Sequence, residues 1–242
     1  MKIKKVRGHA LRVAALASVA ATIIGFGEYP STTAARSTPS TFSAMPVLKR
    51  ADFRGAAPSE EARRVADWAL TAGDHEGLPY IVVDKRKART YVFDAQGALI
   101  EWTPALLGMG VGDTFEPGVV DMNMYETKPS QRITPAGRYR AEEWQKPNGE
   151  WILWLDYPTQ IAIHKLRKSQ LALSQEREAR LYSNDPADSR VTFGCVNVPP
   201  EFYDRVITPT FNGSGGIVYV LPDSKPVESL FELYPARLRQ QA

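Results

Sequence analysis

Cys195, the only cysteine in the chain, is the residue with the most distinctive chemistry. A thiolate nucleophile needs a base that forms it and hydrogen-bond donors for the oxyanion that develops during acyl transfer. Gly194 precedes the thiol and lets the chain turn sharply, so the N–H groups of Gly194 and Cys195 could act as those donors. A short helix predicted after the cysteine would lower the thiol pKa. A small buried cysteine after a tight turn fits the same dipeptide, so both interpretations stay open at this point.

His164 is the predicted base for this thiol. Of the three histidines in the chain, His9 lies in the N-terminal leader, and His75 lies at the polar end of a predicted helix, where a solvated or helix-capping imidazole is expected. His164 ends an alternating run in which Ile161 and Ile163 would point into the core and the imidazole would point the other way. A single histidine on a strand is often no more than a hydrogen-bonded polar residue, but this one is the only good partner for the only cysteine.

Other catalytic chemistries are not favoured by the sequence. A structural zinc site takes four ligands and a catalytic one takes three, and one cysteine with two distant histidines supplies neither set. There is no Gly-x-Ser-x-Gly motif, and Gly108, Gly110 and Gly112 are not followed by the Lys-Ser/Thr pair of a phosphate-binding loop. We therefore expect no metal and no cofactor.

Residues 1–35 are predicted to be a signal peptide or a membrane anchor. The apolar, uncharged run 13–26 follows five basic residues, Lys2, Lys4, Lys5, Arg7 and Arg12. Thr33 and Ala35 are small residues at the spacing that signal peptidase requires, and the run is shorter than the ~20 residues that span a bilayer. An uncleaved anchor is the alternative and would be the only membrane contact. Either way we expect the rest of the chain to be exported, periplasmic or cell-wall associated.

The leader also accounts for the positive charge of the chain. It holds five of the 30 Lys and Arg residues and one of the 27 Asp and Glu residues, which leaves 25 basic and 26 acidic residues in the remainder. No basic patch with interleaved aromatic residues remains, so nucleic acid is not an expected partner. Exported proteins usually pair their cysteines, so an unpaired one is a buried residue, an intermolecular link or a reactive thiol.

The rest of the pattern predicts one mainly β domain of the sandwich or barrel type, with few helices. Short alternating runs separated by turns begin at residue 78 and continue to residue 222, and a helix that starts near Ser59 flanks them. We predict the following organisation after the leader: a flexible linker at 36–58, a flanking helix at 59–77, the β domain at 78–222 and a C-terminal tail at 223–242.

With these residues identified, the chain resembles the L,D-transpeptidases of the YkuD type. The signature of that family is a histidine, a spacer, and then [Ser/Thr]-His-Gly-Cys-hydrophobic-[Asn/Arg]. The matching residues here are His164 and the run Thr192-Phe193-Gly194-Cys195-Val196-Asn197. The runs 80–84 and 91–94 also resemble the opening hairpin of the family, and Ile133-Thr-Pro-Ala-Gly137 resembles its Thr-Pro-x-Gly turn. The match thus extends in order over about residues 79–221.

The resemblance implies a β-sandwich-like catalytic domain that acts on the stem peptides of peptidoglycan without a cofactor. Cys195 would be the nucleophile, His164 its base, and Gly194 part of the oxyanion loop, while Thr192 and Asn197 would support that loop. The implied reaction passes through a thioester on Cys195 and joins the acyl group to an amine, as in a 3→3 cross-link. Such an acyltransferase would contribute to cell-wall organisation and cell shape.

Two features depart from the family pattern. Phe193 stands where the signature has its second histidine. The side chain at this position therefore cannot play the role that the imidazole has in relatives. The spacer between His164 and Thr192 has 27 residues, which is longer than the usual mid-teens. The additional residues fall at 168–182, which we predict to be an inserted helix that acts as a lid, docks a partner or only decorates the surface.

Two other functions remain open from the sequence. The same centre could hydrolyse stem peptides, as an L,D-carboxypeptidase or an endopeptidase, since the shape of the cleft determines whether water or an amine accepts the acyl group. A non-catalytic domain that binds the cell wall is the second alternative, and Phe193 makes it easier to envisage.

Overall fold

The structure is a computed structural model, and it describes residues 48–167 and 172–232. The predicted leader, most of the predicted linker and the start of the inserted segment lie outside the described residues. Within the described part, no helix is both long enough and apolar enough to cross a membrane.

Helix α1 (Glu60–Ala72) is the predicted flanking helix. The side chain of Ser59 accepts a hydrogen bond from the N–H of Ala62, and Gly73 ends the helix in the left-handed conformation with φ of 70°. One apolar face of the helix is buried against the sheet: Ala62, Val65, Ala66, Trp68, Ala69 and Leu70. The helix thus begins and ends at capping residues, and its apolar face packs on the sheet.

The β-strands form one large sheet and one small one. Within the described residues the strands are β1 (Tyr80–Asp84), β2 (Arg89–Phe93), β3 (Leu99–Pro104), β4 (Leu107–Gly108), β5 (Gly137–Gln145), β6 (Trp151–Asp156), β7 (Ile161–Lys165), β8 (Arg190–Thr192), β9 (Val196–Val198) and β10 (Gly216–Val220). The large sheet has the order β3-β2-β1-β10-β5-β6-β7-β9, and β4 pairs with β8. The pairs β1–β10 and β7–β9 are parallel.

The large sheet curves so that its two halves enclose one core, which makes the domain mainly β and sandwich-like, as predicted. Ile81 and Val83 of β1 pack in the same apolar cluster as Leu153 of β6 and Ile163 of β7. The opposite face of β1, β2 and β10 is covered by α1 and by apolar side chains from both ends of the described chain, which are Ala51, Phe53, Val227 and Phe231. Residues at the edges of the predicted linker and tail thus pack on the domain.

The described helices besides α1 are short. They are α2 (Ala172–Leu181), α3 (Pro200–Phe202), a π-helical turn (Tyr203–Ile207), α4 (Thr208–Phe211) and four 3-10 turns (Val119–Asp121, Pro129–Gln131, Pro186–Ser189 and Val227–Ser229). The run from α3 to α4 closes the core with Phe202, Tyr203, Ile207 and Phe211. Helix α2 is the predicted insertion, and its last residue, Leu181, packs on Leu106 and Leu166.

Candidate active site

Cys195 lies at the end of the turn that joins β8 to β9. Its Sγ atom lies 3.4 Å from the main-chain O of Gln160, the residue before β7. Burial raises the pKa of the Cys195 thiol, and this effect exceeds the opposing effects of a main-chain hydrogen bond with Ala162 and of the positive charges of Lys146 and Arg167. The predicted lowering of the pKa by a helix is therefore wrong. The reason is that α3 begins only after β9, so the end of its dipole is not at the thiol.

Gly194 is required by the geometry of this turn. Its φ is 138°, and a Cβ atom there would come within 2.8 Å of both the O of Ile133 and the side chain of Ile161. The carbonyl O of Gly194 accepts a 2.8 Å hydrogen bond from the hydroxyl of Thr134, and this hydroxyl accepts one from the N–H of Gly108 at 2.9 Å. The hydroxyl of Thr134 thus links the turn that carries the thiol to the main chain at Gly108. Thr134 belongs to the Thr-Pro-x-Gly turn, but its contact with Gly194 could not be predicted from the sequence.

Thr192 forms two further hydrogen bonds within this turn. Its hydroxyl donates to the O of Cys195 at 2.6 Å and accepts from the N–H of Gly194 at 3.2 Å. The predicted support of the loop by Thr192 has this physical form. The same contact occupies the Gly194 N–H, so donation from Gly194 to an oxyanion requires this bond to be exchanged, and the oxyanion role stays a prediction.

His164 reaches the same face of the sheet as Cys195. In the parallel pair β7–β9, Ile163 lies opposite Val196 and His164 opposite Asn197. Since side chains alternate along a strand, His164, Cys195 and Asn197 share the face opposite the core. The thiol and the imidazole therefore lie on the same side of the sheet, but these two described side chains do not form a hydrogen bond with each other.

The imidazole of His164 instead has two other partners. Its Nδ1 lies 2.9 Å from the O of Lys165, and its Nε2 lies 3.0 Å from the Nδ2 of Asn197. A carbonyl O only accepts and an amide NH2 only donates, so these partners assign the proton to Nδ1 and the lone pair to Nε2. Burial lowers the pKa of His164, and Arg167 and Arg177 lower it further, against the effect of the Lys165 carbonyl and the Glu150 carboxylate. The ring is therefore the neutral, basic form near neutral pH.

The inserted helix contributes a residue to this site. The Nη2 of Arg177 donates to the Oδ1 of Asn197 at 2.5 Å, which fixes the orientation of the amide so that its Nδ2 faces His164. Burial lowers the pKa of Arg177, and its buried Nε has no hydrogen-bond partner among the described residues. The sequence did not identify Arg177, and the only signal was the extra length of the spacer.

A cleft of about 320 Å³ opens at Cys195. Its wall comes mainly from the loop 115–132 and from the turn 158–161 before β7. Phe193 lines the cleft with Cys195, and the guanidinium of Arg132 lies over its ring at 4.1 Å from the centroid. His164 is not among the residues that line the cleft.

A buried lysine forms a hydrogen bond with Thr134, the residue that holds the turn at Gly194. The Nζ of Lys85 donates to the O of Thr134 at 2.9 Å and forms ion pairs with Asp113 at 3.3 Å and Asp223 at 3.1 Å. Burial lowers the pKa of Lys85 despite these two carboxylates. Sequence reasoning missed this cluster because its members are far apart in the chain. Among the residues that the structure describes, no group of three or more His, Cys, Asp or Glu side chains could hold a metal ion.

The other candidate histidine is a structural residue. His75 is buried, with its Nδ1 2.9 Å from the O of Ala69 in α1 and its Nε2 3.1 Å from the O of Ala95. It therefore caps the end of α1, one of the two roles predicted for it, and it has no solvated ring.

No model of a known protein family matches the chain, and no curated protein matches it. Solved structures do show similarity. The catalytic domain of an L,D-transpeptidase from E. faecium is 19% identical over 59% of this chain and 96% of that domain, with a TM-score of 0.37. An L,D-transpeptidase from Mycobacterium smegmatis is 14% identical over 59% of this chain and 58% of its own, with a TM-score of 0.34. The helical cell shape determining protein Pgp2 from Campylobacter jejuni is 16% identical over 61% of this chain and 49% of its own, with a TM-score of 0.37.

Proposed function

We propose that the protein is an L,D-transpeptidase, an exported enzyme that transfers an acyl group from a peptidoglycan stem peptide through a thioester on Cys195. The observation that carries the proposal is that the only cysteine lines a cleft and shares one sheet face with His164, in the order and sequence context of the family signature. A packing cysteine would need neither a cleft nor a neutral imidazole on the same face of the sheet.

In the proposed reaction His164 takes the proton of the thiol, and the thiolate attacks the carbonyl at the L-centre of a meso-diaminopimelate residue. A sulfur–carbon bond forms, the carbon–nitrogen bond to the terminal D-alanine breaks, and the imidazolium returns the proton to the leaving amine. The amine of a neighbouring stem then attacks the thioester and releases the thiol. N–H groups of the turn at Gly194 and Cys195 would stabilise the oxyanion in both steps.

The electrostatics of the free protein favour the uncharged pair. Burial raises the pKa of the Cys195 thiol and lowers the pKa of His164, so a thiolate–imidazolium pair is not the resting state. Proton transfer must then accompany the binding of a substrate that exchanges the present contacts of the thiol with Gln160 and of Nε2 with Asn197. This arrangement protects the thiol from adventitious oxidation outside the cytoplasm, because the thiolate is the reactive form.

The experiment that tests the proposal is incubation of the purified protein with disaccharide tetrapeptides, followed by mass spectrometry of the products and of the intact protein. An acyl adduct on Cys195 together with peptide dimers is the expected result. Tripeptide without dimers would assign the centre to hydrolysis. The absence of adduct and product, with the protein still folded, would contradict the proposal and favour a domain that only binds the wall. Cys195→Ala is the matched control and must form no adduct.

A further inference from the structure

The cleft at Cys195 contains one charged side chain among the described residues that line it, and this is Arg132. The other lining residues include apolar side chains such as Phe115, Val119 and Met122 and uncharged polar ones. A guanidinium held in a cleft acts through a lower effective dielectric than one in open solvent, so its attraction for an anion is stronger. The cleft thus resembles a binding site in which one charged group, among apolar and uncharged polar side chains, fixes the orientation of the ligand.

Arg132 is held in place by the wall of the cleft. Its Nη2 donates to the O of Thr127 at 2.8 Å, its Nε to the Oγ1 of Thr127 at 3.2 Å, and its Nη1 to the Sδ of Met109 at 3.4 Å. Its guanidinium lies over the ring of Phe193, and Tyr125 meets the same ring edge to face at 5.6 Å between centroids. A cation stacked on an aromatic face keeps its charge and loses conformational freedom, so the residue is preorganised for a ligand.

The charge of Arg132 is not neutralised within the described part of the chain. No carboxylate of the described residues lies within ion-pair distance of it, whereas Arg138, Arg190 and Arg205 each have an acidic partner at 2.6–2.7 Å. A guanidinium has five N–H groups, and the three contacts above leave one on Nη1 and one on Nη2 without a described partner. The third contact is weak, because a thioether sulfur is a poor acceptor.

We infer that Arg132, stacked on Phe193, binds a carboxylate of the substrate that reacts at Cys195. The inference rests on the proposed function for the identity of the substrate, but the anion preference of the cleft follows from Arg132 alone. Two carboxylates of the stem peptide are suitable, the terminal one on the leaving D-alanine and the one at the D-centre of the diaminopimelate residue. Both would form charge-assisted hydrogen bonds with the same two N–H groups.

This assignment also gives Phe193 a role. A histidine at position 193 would place an ionisable ring beside the guanidinium, and in its protonated form it would repel that cation. A phenyl ring supplies a flat, uncharged face that attracts the cation without neutralising it. The departure of the chain from the family signature at Phe193 is then a feature of substrate recognition.

Alkylation of Cys195 tests the inference without any turnover. Iodoacetate and iodoacetamide react with the same thiolate and release iodide, so their rate ratio cancels the effect of the thiol pKa and reports the charge of the cleft. We expect Arg132→Gln to lower the ratio of iodoacetate to iodoacetamide rates about 3- to 10-fold at low ionic strength, with a smaller difference in high salt. Arg132→Lys keeps the charge and should retain most of the ratio. Since Cys195 is the only cysteine, the labelled site is unambiguous.

Arg89 provides the matched control. It also lies over an aromatic ring, Trp102, at 4.6 Å from the centroid, but it does not line this cleft. Arg89→Gln should leave the alkylation ratio unchanged. An unchanged ratio in Arg132→Gln would overturn the inference, and so would an equal fall in Arg89→Gln. If Arg132→Gln slows both reagents by one factor, the arginine is only structural, and the inference is overturned as well.

Amidated peptides identify the carboxylate. Tetrapeptides carrying an amide at the terminal D-alanine, or at the D-centre of diaminopimelate, are compared with the unmodified tetrapeptide. We expect one of the two amides to lower kcat/KM about 10- to 100-fold with the native protein and to have little further effect with Arg132→Gln. If both amides react as fast as the unmodified peptide, the inference fails while the proposed function stands. If no tetrapeptide reacts, the proposed function fails, and the alkylation ratio still decides the inference.

Discussion

The two halves of the large sheet differ in what covers their outer faces. On β1, β2 and β10 this face is covered by α1 and carries aromatic and aliphatic side chains such as Tyr80, Val82 and Tyr219, all fully buried. On β7 and β9 the equivalent face carries His164, Cys195 and Asn197, and the inserted helix approaches it with a charged side chain, Arg177. One half of the sheet is thus a stabilising core, and the other half is where polar groups are held beside a cleft.

The difference shows how a single sheet can support a reactive group. Apolar burial on one half supplies free energy that is roughly proportional to the area removed from water. The other half can then hold a half-buried thiol and a half-buried imidazole, and this burial disfavours their charged forms. The comparison implies that substitutions in the first half should affect stability and those in the second half reactivity.

Cys195→Ala should give the largest effect in the second half. We expect complete loss of the acyl adduct and of products, because no other thiol exists in the chain. The free energy of unfolding should change by no more than about 1 kcal/mol, since the side chain is only half-buried. Intact-protein mass spectrometry and urea unfolding measure the two quantities. Residual adduct formation would show that the nucleophile is another residue.

Trp68→Ala is the counterpart in the first half. The indole is 7% exposed and meets the ring of Tyr219 edge to face at 5.9 Å. Its removal should lower the free energy of unfolding by about 3–5 kcal/mol. At temperatures where the variant is folded, the rate of Cys195 alkylation should equal that of the native protein. A large change in that rate would show that the two halves are not separable.

Lys85→Met tests a connection between the two halves of the large sheet. Lys85 follows β1 in the first half, and its Nζ holds Thr134, which in turn holds the carbonyl of Gly194. Methionine keeps much of the volume but leaves Asp113 and Asp223 without their shared cation. We expect a loss of about 3–5 kcal/mol in the free energy of unfolding and a lower alkylation rate of Cys195.

A matched variant separates the two consequences of this change. Arg190 pairs with Asp223 at 2.6 Å but makes no contact with Thr134 among the described residues. Arg190→Met should therefore lower stability and leave the alkylation rate at its native value. If both variants lower the rate equally, the effect comes from general loosening and not from Thr134.

These residues also show what the sequence could reveal and what it could not. The strands, the flanking helix and the alternation around His164 follow from local patterns, because periodicity and turn residues are local properties. The clamp of Thr134 on Gly194 and the cluster around Lys85 join residues that are 60 and 28 positions apart or more, so no local pattern encodes them. The family motif identifies Cys195 and His164. It does not reveal that the side chain of Asn197 forms a hydrogen bond with the imidazole of His164.

Segment boundaries illustrate the same limit. The end of β5 at Gln145 is determined by its pairing with β6, which continues to Trp151, and not by a local sequence pattern. The segment 192–198 contains the last residue of β8, the turn at Gly194 and the whole of β9. These are two strands because β8 pairs with β4, whereas β9 pairs with β7. Arg177 lies in an insertion, where the charged residues looked like a solvated surface and only the folded chain brings one of them to Asn197.

Arg177→Gln should have a smaller effect on the reactivity of Cys195, and it tests the polar contacts of the second half of the sheet. Without the guanidinium, Asn197 is free to turn, and the lone pair of Nε2 becomes available to the thiol. We expect iodoacetamide to alkylate Cys195 about 3- to 10-fold faster at neutral pH, the effect of one hydrogen bond. The pKa of His164 should rise, because the charge of Arg177 lowers it. Ring nitrogen shifts in NMR spectra measure this pKa.

Arg180 is the control for that substitution. It lies on the same helix and pairs with Glu176 at 2.7 Å, and its side chain is exposed. Arg180→Gln removes the same charge from α2 without touching Asn197. An equal acceleration in both variants would mean that α2 acts through its net charge, and the specific link from Arg177 through Asn197 to His164 would be rejected.

The pH dependence of stability gives the smallest expected effect. The pKa of His164 in the folded state is below the ordinary histidine value of 6.5, so the unfolded chain takes up a proton first as the pH falls. Proton uptake by the unfolded state lowers the free energy of unfolding below about pH 6.5, and the loss stops once the folded protein is protonated as well. For one group the slope is at most about 1.4 kcal/mol per pH unit. Urea unfolding between pH 4 and pH 8 should show this slope, and His164→Gln should remove it while the background from the carboxylates remains. If His164→Gln leaves the slope unchanged, burial of the imidazole contributes nothing to the pH response, and the second half would tolerate a charged His164 as easily as a solvated surface does.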